Sequence, residues 1–156
     1  MVTVLSPIAE RNLVSFETEA TSDSATKTTV EVRDFELVVD EPEALGGTDD
    51  GPNPVEYVLA ALSGCLNVVG HLVADEMGLE IRSLSFSAEG DLDPRKFQGT
   101  SDEPRAGYEE IRVTVDVDTD ADEATLDDWI AAVEERCPVT DNLRDETALD
   151  VSVSTA

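Results

Sequence analysis

Lysine is almost missing from this chain: Lys27 and Lys96 are the only two, and 10 basic residues stand against 36 acidic ones, for a net charge of −26. Nucleic acids and anionic membranes are held by basic patches, so this deficit argues against both as partners. Histidine occurs once, as His71, and cysteine twice, as Cys65 and Cys137. One imidazole and two thiols do not readily complete a zinc or iron site, and no metal is expected. So few cysteines in a chain that reads as cytoplasmic argue against a structural disulfide and leave a transient one open. The first ten residues have neither a basic start nor a long apolar core, so no signal peptide is expected. No internal repeat, phosphate loop, nucleophile elbow or basic groove occurs.

What is present begins with acid. Such a surface is most simply a solvation device, and in dilute buffer its self-repulsion would oppose a compact fold. At about 1 M salt the Debye length is ~3 Å, which removes most of that cost. The composition therefore suits the cytoplasm of a salt-accumulating halophile. Disorder, the other common meaning of high charge, conflicts with a hydrophobic content of 40% arranged periodically. At 156 residues the chain is most simply one domain, residues 1–156, long enough to bury a core of its own.

The first part, 1–45, alternates in strand fashion at Leu13–Glu17, Thr28–Val32 and Phe35–Val39, separated by Ser/Thr/Asp-rich turns. A turn-rich loop from Asp40 leads to Asn53 and Pro54, a cap and first-position pair that opens a central helix over 53–78. Val55, Val58, Leu59, Leu62, Leu66, Val69, Leu72, Val73 and Met77 recur at helical spacing until Gly78. The uncharged run Tyr57–Ala74 has the length of a membrane span. It also carries Ser63, Gly64, Asn67, Gly70 and His71, and Asp75 and Glu76 follow at once, so a buried soluble helix fits better. This helix is apolar nearly all round, which predicts that it lies inside the fold, with Gly64 and Gly70 admitting another backbone. Residues 80–156 supply strands at Glu80–Ala88 and Tyr108–Asp118, a helix at Ala121–Arg136, a short helix from Pro138 to Leu143, and a last strand through Leu149, Val151 and Val153. Trp129, Phe97 and Met77 read as core. The order is that of an α+β fold, without the strict alternation of a parallel α/β sheet.

The two thiols have different settings. Cys137 stands before Pro138, which disfavours helical geometry there and makes it the N-cap of the short helix. Free amides at that position lower a thiol pKa, the acidic surface raises it, and the sequence leaves the balance open. Cys65 lies mid-helix at the edge of the buried stripe, where burial alone makes a thiol inert and a neighbouring cation makes it a nucleophile. For each cysteine a small core residue and a redox-active thiol remain alternatives.

The run Asn53-Pro54-Val-Glu56-Tyr-Val-Leu-Ala-Ala-Leu-Ser-Gly-Cys65, preceded by Gly46-Gly47, resembles the first cysteine motif of the OsmC/Ohr family, of the OsmC-like branch. Arg136-Cys137-Pro138-Val139, after an amphipathic helix, resembles its second. The resemblance implies antiparallel sheets wrapped around long central helices in an intertwined homodimer. It also implies a thiol-dependent peroxidase acting on organic hydroperoxides in the oxidative stress response, without metal or organic cofactor. In that scheme Cys65 becomes a sulfenic acid, Cys137 condenses with it to a disulfide, and a dithiol reductant resets the pair. An acidic residue and an activating arginine complete the implied site. Glu56 stands nine residues before Cys65, whereas the Ohr branch has its glutamate ten before, where this chain has Val55. Nine steps of about 100° place Glu56 opposite Cys65 on an ideal helix, so a structural role weighs equally for it. Arg11 is the nearest arginine candidate and Arg33 the second. The alternative of a different class is a non-enzymatic OsmC-like dimer that binds a small apolar ligand or a stress-related partner.

Overall fold

The computed structural model describes residues 12–155, which fall into two compact units divided after Pro54. In the first unit β1 (Glu19–Ser22), β2 (Thr28–Val32) and β3 (Phe35–Val39) form an antiparallel meander, with Ala20 opposite Val30 and Val30 opposite Leu37. The hairpin between β1 and β2 is closed by Ser24, whose hydroxyl accepts the Lys27 amide at 3.0 Å. A two-residue turn joins β2 to β3, with Arg33 in the left-handed region at φ 56 and its guanidinium 5.1 Å above the Phe35 ring. The strand expected at Leu13–Glu17 is not formed. Strand pairing starts instead at Glu19, where the Ser24 turn sets the register, and Leu13, Val14 and Phe16 are exposed.

The loop after β3 is organised by one carboxylate. Asp40, fully buried, accepts the amides of Glu41, Thr48 and Asp50 at 2.8, 3.0 and 3.2 Å and the Thr48 hydroxyl at 2.6 Å. The Thr48 hydroxyl holds its carboxyl well below the usual carboxylate range; burial opposes this and the three amides add to it. Gly47 is required here, because a Cβ would stand 1.8 Å from the Glu41 carbonyl oxygen. A 3₁₀ turn at Glu43–Leu45, ended by Gly46 at φ 88, fits within the segment read as loop.

The second unit is built on α1 (Pro54–Met77), about 36 Å long at 1.5 Å per residue. Gly78 ends it at φ 67. β4 (Ser83–Asp91) and β5 (Glu110–Asp118) pair antiparallel over their full length, with Phe86 opposite Val115 and Ala88 opposite Val113. The ladder is pinned by ion pairs: Arg82 with Asp118 and Asp120 at one end, Arg112 with Glu89, Asp91 and Glu110 at the other. α2 (Glu123–Arg136) is capped by Asp122, whose side chain accepts the Thr125 amide at 2.8 Å. α3 (Pro138–Arg144) follows after a single non-helical residue.

The core gathers Leu62, Leu66, Val69, Val73 and Ala74 of α1 with Trp129, Val133 and Cys137, and Leu84, Phe86, Val113 and Val115 pack against it. The resulting α+β fold has three helices and antiparallel sheets. Three expectations are corrected. α1 buries one face only, and Ala60, Ala61, Gly64, Val68 and Leu72 on the other are exposed, because one chain offers cover on one side. Leu149, Val151 and Val153 form no strand and are exposed, because no strand pairs with them. Phe97 and Met77 are exposed rather than core, at the loop after β4 and the last turn of α1; Trp129 is buried as expected.

Gly70 admits a ring where the sequence suggested a backbone. A Cβ there would stand 3.2 Å from the Trp129 ring and 3.4 Å from Leu84, and the indole N–H donates to the Gly70 carbonyl at 2.9 Å. Gly70→Val should therefore overpack this contact and destabilise the chain by about 1–3 kcal/mol. Urea denaturation in concentrated KCl reads this directly, and an unchanged midpoint would show that Trp129 is not seated on α1.

Candidate active site

Three helices converge on the two cysteines. Trp129 and Val133 seat α2 on α1, and Arg136 donates through both terminal nitrogens to the Glu76 carboxylate, at 2.5 and 3.0 Å. Pro138 breaks the helix at Cys137, whose backbone is extended at φ −78 and ψ 112. Freed from α2, the Cys137 side chain faces α1, and its Sγ lies 3.0 Å from Cys65 Sγ. Both cysteines are free thiols; Cys137 is fully buried and Cys65 half-buried. A covalent S–S bond is about 2.05 Å, so bridging them asks for a movement of about 1 Å.

The pair shares its protons unequally. Burial pushes both thiols up. At Cys137 it is outweighed by hydrogen bonds from Cys65 and from Thr140 and Val139 at the start of α3, so this thiol falls below its usual value. The Thr140 amide donates to Cys137 Sγ at 3.5 Å. Cys65 is pushed up, first by burial and then by its hydrogen bond to Cys137, with the Val139 amide opposing. When both sulfurs are protonated, Cys137 donates to Cys65. After the first proton is lost the direction reverses, and Cys65 donates to the Cys137 thiolate. The question of sign at Cys137 that the sequence left open is thus settled by the partner thiol as much as by the cap.

The remaining candidates are Glu56, Arg11 and Arg33. Glu56 lies in the first turn of the unbroken α1, half a revolution from Cys65, and its charge acts on the Tyr108 hydroxyl, which donates to the Val55 carbonyl at 2.8 Å. Arg11 lies outside the described residues. Arg33 stacks on Phe35 in the first unit. Asn67 and His71, spaced i, i+4 on α1, are both exposed, and no hydrogen bond joins them among the described residues.

A cleft that the sequence did not announce opens between α1, β5, α2 and α3. Its volume is about 540 Å³, and Leu62, Leu66, Ile111, Val113, Val115 and Ile130 give it an apolar floor. Thr140, whose amide reaches Cys137, lines it, as do Arg105 and Arg144. The alternation of β5 hinted at an inward apolar face, but nothing local said that the face is left partly uncovered.

Residues 47–152 match the family model described as OsmC-like protein. The chain belongs to the OsmC-like family. Solved structures of similar fold include an OsmC-like protein from Mycoplasma pneumoniae, 20% identical, with a TM-score of 0.73 over 84% of this chain and 88% of that one. An organic hydroperoxide resistance protein OsmC from Legionella pneumophila is also 20% identical, with a TM-score of 0.64 over 86% and 92%. One from Elizabethkingia anophelis, described as an organic hydroperoxide resistance protein, has 20% identity and a TM-score of 0.60 over 86% and 91%. No curated protein matches the chain. At these identities the likeness carries the OsmC-like fold, and the chemistry has to be argued from the thiols themselves.

Because the Cys137 sulfur raises the Cys65 pKa, Cys137→Ala should let Cys65 react with iodoacetamide at lower pH than in the native chain. Mass-spectrometric alkylation profiles against pH measure the midpoint. A midpoint that stays or rises would contradict the coupling.

Proposed function

We propose that this OsmC-like protein is a thiol-dependent peroxidase that reduces organic hydroperoxides through Cys65 and Cys137. The observation that carries the reading is the 3.0 Å approach of two free thiols of unequal acidity and unequal access. Peroxide reaches the half-buried Cys65 and not the enclosed Cys137, so Cys65 is the attacking sulfur. Cys65 passes its proton to Cys137 across the contact and attacks the distal peroxide oxygen. The O–O bond breaks, the alkoxide takes that proton from Cys137 and leaves as an alcohol, and Cys65 holds the hydroxyl as a sulfenic acid. Cys137, again a thiolate, attacks that sulfur and displaces hydroxide, forming the disulfide. A dithiol reductant returns two electrons and restores both thiols. No step asks for a metal or an organic cofactor. Arg11 is assigned the activating role on resemblance alone, while Glu56, facing away from Cys65, fits a role at the start of α1 beside Tyr108.

The same reading includes a homodimer acting in the cytoplasm of a salt-accumulating cell. A single chain leaves Ala60, Ala61, Gly64, Val68 and Leu72 of α1 open, with Val68 66% and Leu72 49% exposed and open space over Gly64. A second copy supplies the same face in return, which suits helix packing across a two-fold axis. Where the thiols fail to react, the exposed apolar cleft instead favours a ligand-binding dimer without catalysis.

One equivalent of an alkyl hydroperoxide, added to the reduced protein in concentrated KCl, should consume both thiols and yield a Cys65–Cys137 disulfide by peptide mapping. Cys65→Ser should abolish the loss; undiminished thiol titre in the native protein rejects the peroxidase. Val68→Glu should convert a dimer to monomers in sedimentation at high salt, whereas a native chain that sediments as a monomer rejects the pairing.

A further inference from the structure

Cations are scarce here, and nearly every one is spent on a carboxylate. Of the ten, Arg11 lies outside the described residues. Lys27, Arg82, Arg95, Lys96, Arg112, Arg136 and Arg144 each form an ion pair with an Asp or Glu. Arg33 stacks on Phe35. Arg105 alone among the described cations has neither an acid nor a ring, on a chain with 36 acidic residues. Its place is the rim of the apolar cleft.

The other charges on that rim are mostly answered. Glu110 is held by Arg112, and Glu134 by Arg144. Glu109 is the remaining acid, and it makes no ion pair with Arg105 within 4.0 Å. A cleft of about 540 Å³ lies within the range of small-molecule sites, roughly 300–1,000 Å³. An apolar floor with one free guanidinium at its edge matches a molecule with an apolar chain and one anionic head. A planar carboxylate is the group that a guanidinium fork binds in bidentate fashion.

We propose that this cleft binds an apolar carboxylic acid, with its chain along Leu62, Leu66, Ile111 and Val113 and its carboxylate on Arg105. Arg105 is then a specificity-determining residue. Thr140 joins the cleft to the thiols, since it lines the one and its amide contacts Cys137. On the peroxidase reading, on which this part of the inference rests, the preferred hydroperoxide carries a free carboxylate. The net charge of −26 repels such an anion at low salt, and concentrated salt removes that barrier.

Binding and turnover separate the two claims. In Cys65→Ser, which cannot turn over, octanoate and uncharged 1-octanol are titrated in concentrated KCl and followed by NMR shifts of the cleft residues. Octanoate should bind about tenfold more tightly than octanol, and Arg105→Gln should erase that difference. Equal affinities, no shifts in the cleft, or an equal loss for both ligands in Arg105→Gln would overturn the proposal. Turnover is then compared for a fatty-acid hydroperoxide and its methyl ester in the native chain and in Arg105→Gln. A KM for the acid that rises about tenfold in the variant, to the value for the ester, is the expected result. Matching KM values for acid and ester in the native chain overturn the substrate assignment and leave the peroxidase intact. No turnover of either, with octanoate still preferred, removes the peroxidase and keeps the site.

Discussion

Two sulfurs 72 residues apart meet because one residue, Cys137, is not allowed to be helical. Pro138 forces it into extended geometry, so it ends α2 and caps α3 at once. Had α2 run on through 137, its thiol would lie on a helix flank with every nearby amide already bonded. The break exposes the Thr140 and Val139 amides to the sulfurs and turns the Cys137 side chain toward α1. The rest of the second unit holds that corner in place. Trp129 bonds the Gly70 carbonyl, Val133 fills the core beside it, and Arg136 is drawn to Glu76. That last pair also keeps the nearest arginine in sequence away from the thiols. Among the described residues, the acidity of the site therefore comes from amides and from the partner sulfur.

Elements written into short-range pattern were legible in the sequence. The Asn53-Pro54 start and Gly78 stop of α1, the alternation of β2, β3 and β5, and the Cys137-Pro138 junction are all local signals, and each stands within a few residues of its expected place. The nearness of Cys65 and Cys137 was not local. It depends on how α2 lies on α1, and in the sequence only the resemblance to a family carried it. The misread segments share one cause. Leu13–Glu17 and Leu149–Val153 have strand-like alternation, yet a strand exists only when another pairs with it. Alternation states which face would be buried, and does not state that a partner is present. Phe97 was misjudged for a similar reason, since aromatic character predicts burial only where a core is within reach.

Acid in such excess changes what an ion pair means. Exposed pairs contribute little each, about 0–1 kcal/mol, and concentrated salt weakens them further. Their consequence here is one of allocation. Arg112 alone gathers Glu89, Asp91 and Glu110 at the end of the β4–β5 ladder, where three like charges would otherwise crowd together. Arg82 does the same for Asp118 and Asp120. With cations so committed, a guanidinium left over marks a position where the carboxylate is expected from outside the chain.

The open face of α1 bears on the thiols as well as on assembly. Ala61, Val68 and Leu72 stand four before, three after and seven after Cys65, so they share its side of the helix. A second copy laid over that face, as proposed, also covers part of Cys65. Covering a half-exposed thiol removes water from its charged form and pushes the pKa further up, against the needs of a nucleophile. The shared proton with Cys137 offsets part of this, because that sulfur keeps its own amide donors whether or not Cys65 is covered. The remainder has to come from a cation or donor outside the described residues. Arg11 of either copy is the candidate that the sequence offers. A dimer interface and an activating arginine are thus one requirement: burial strong enough to hold two chains together is tolerable at Cys65 only with a positive group buried alongside it.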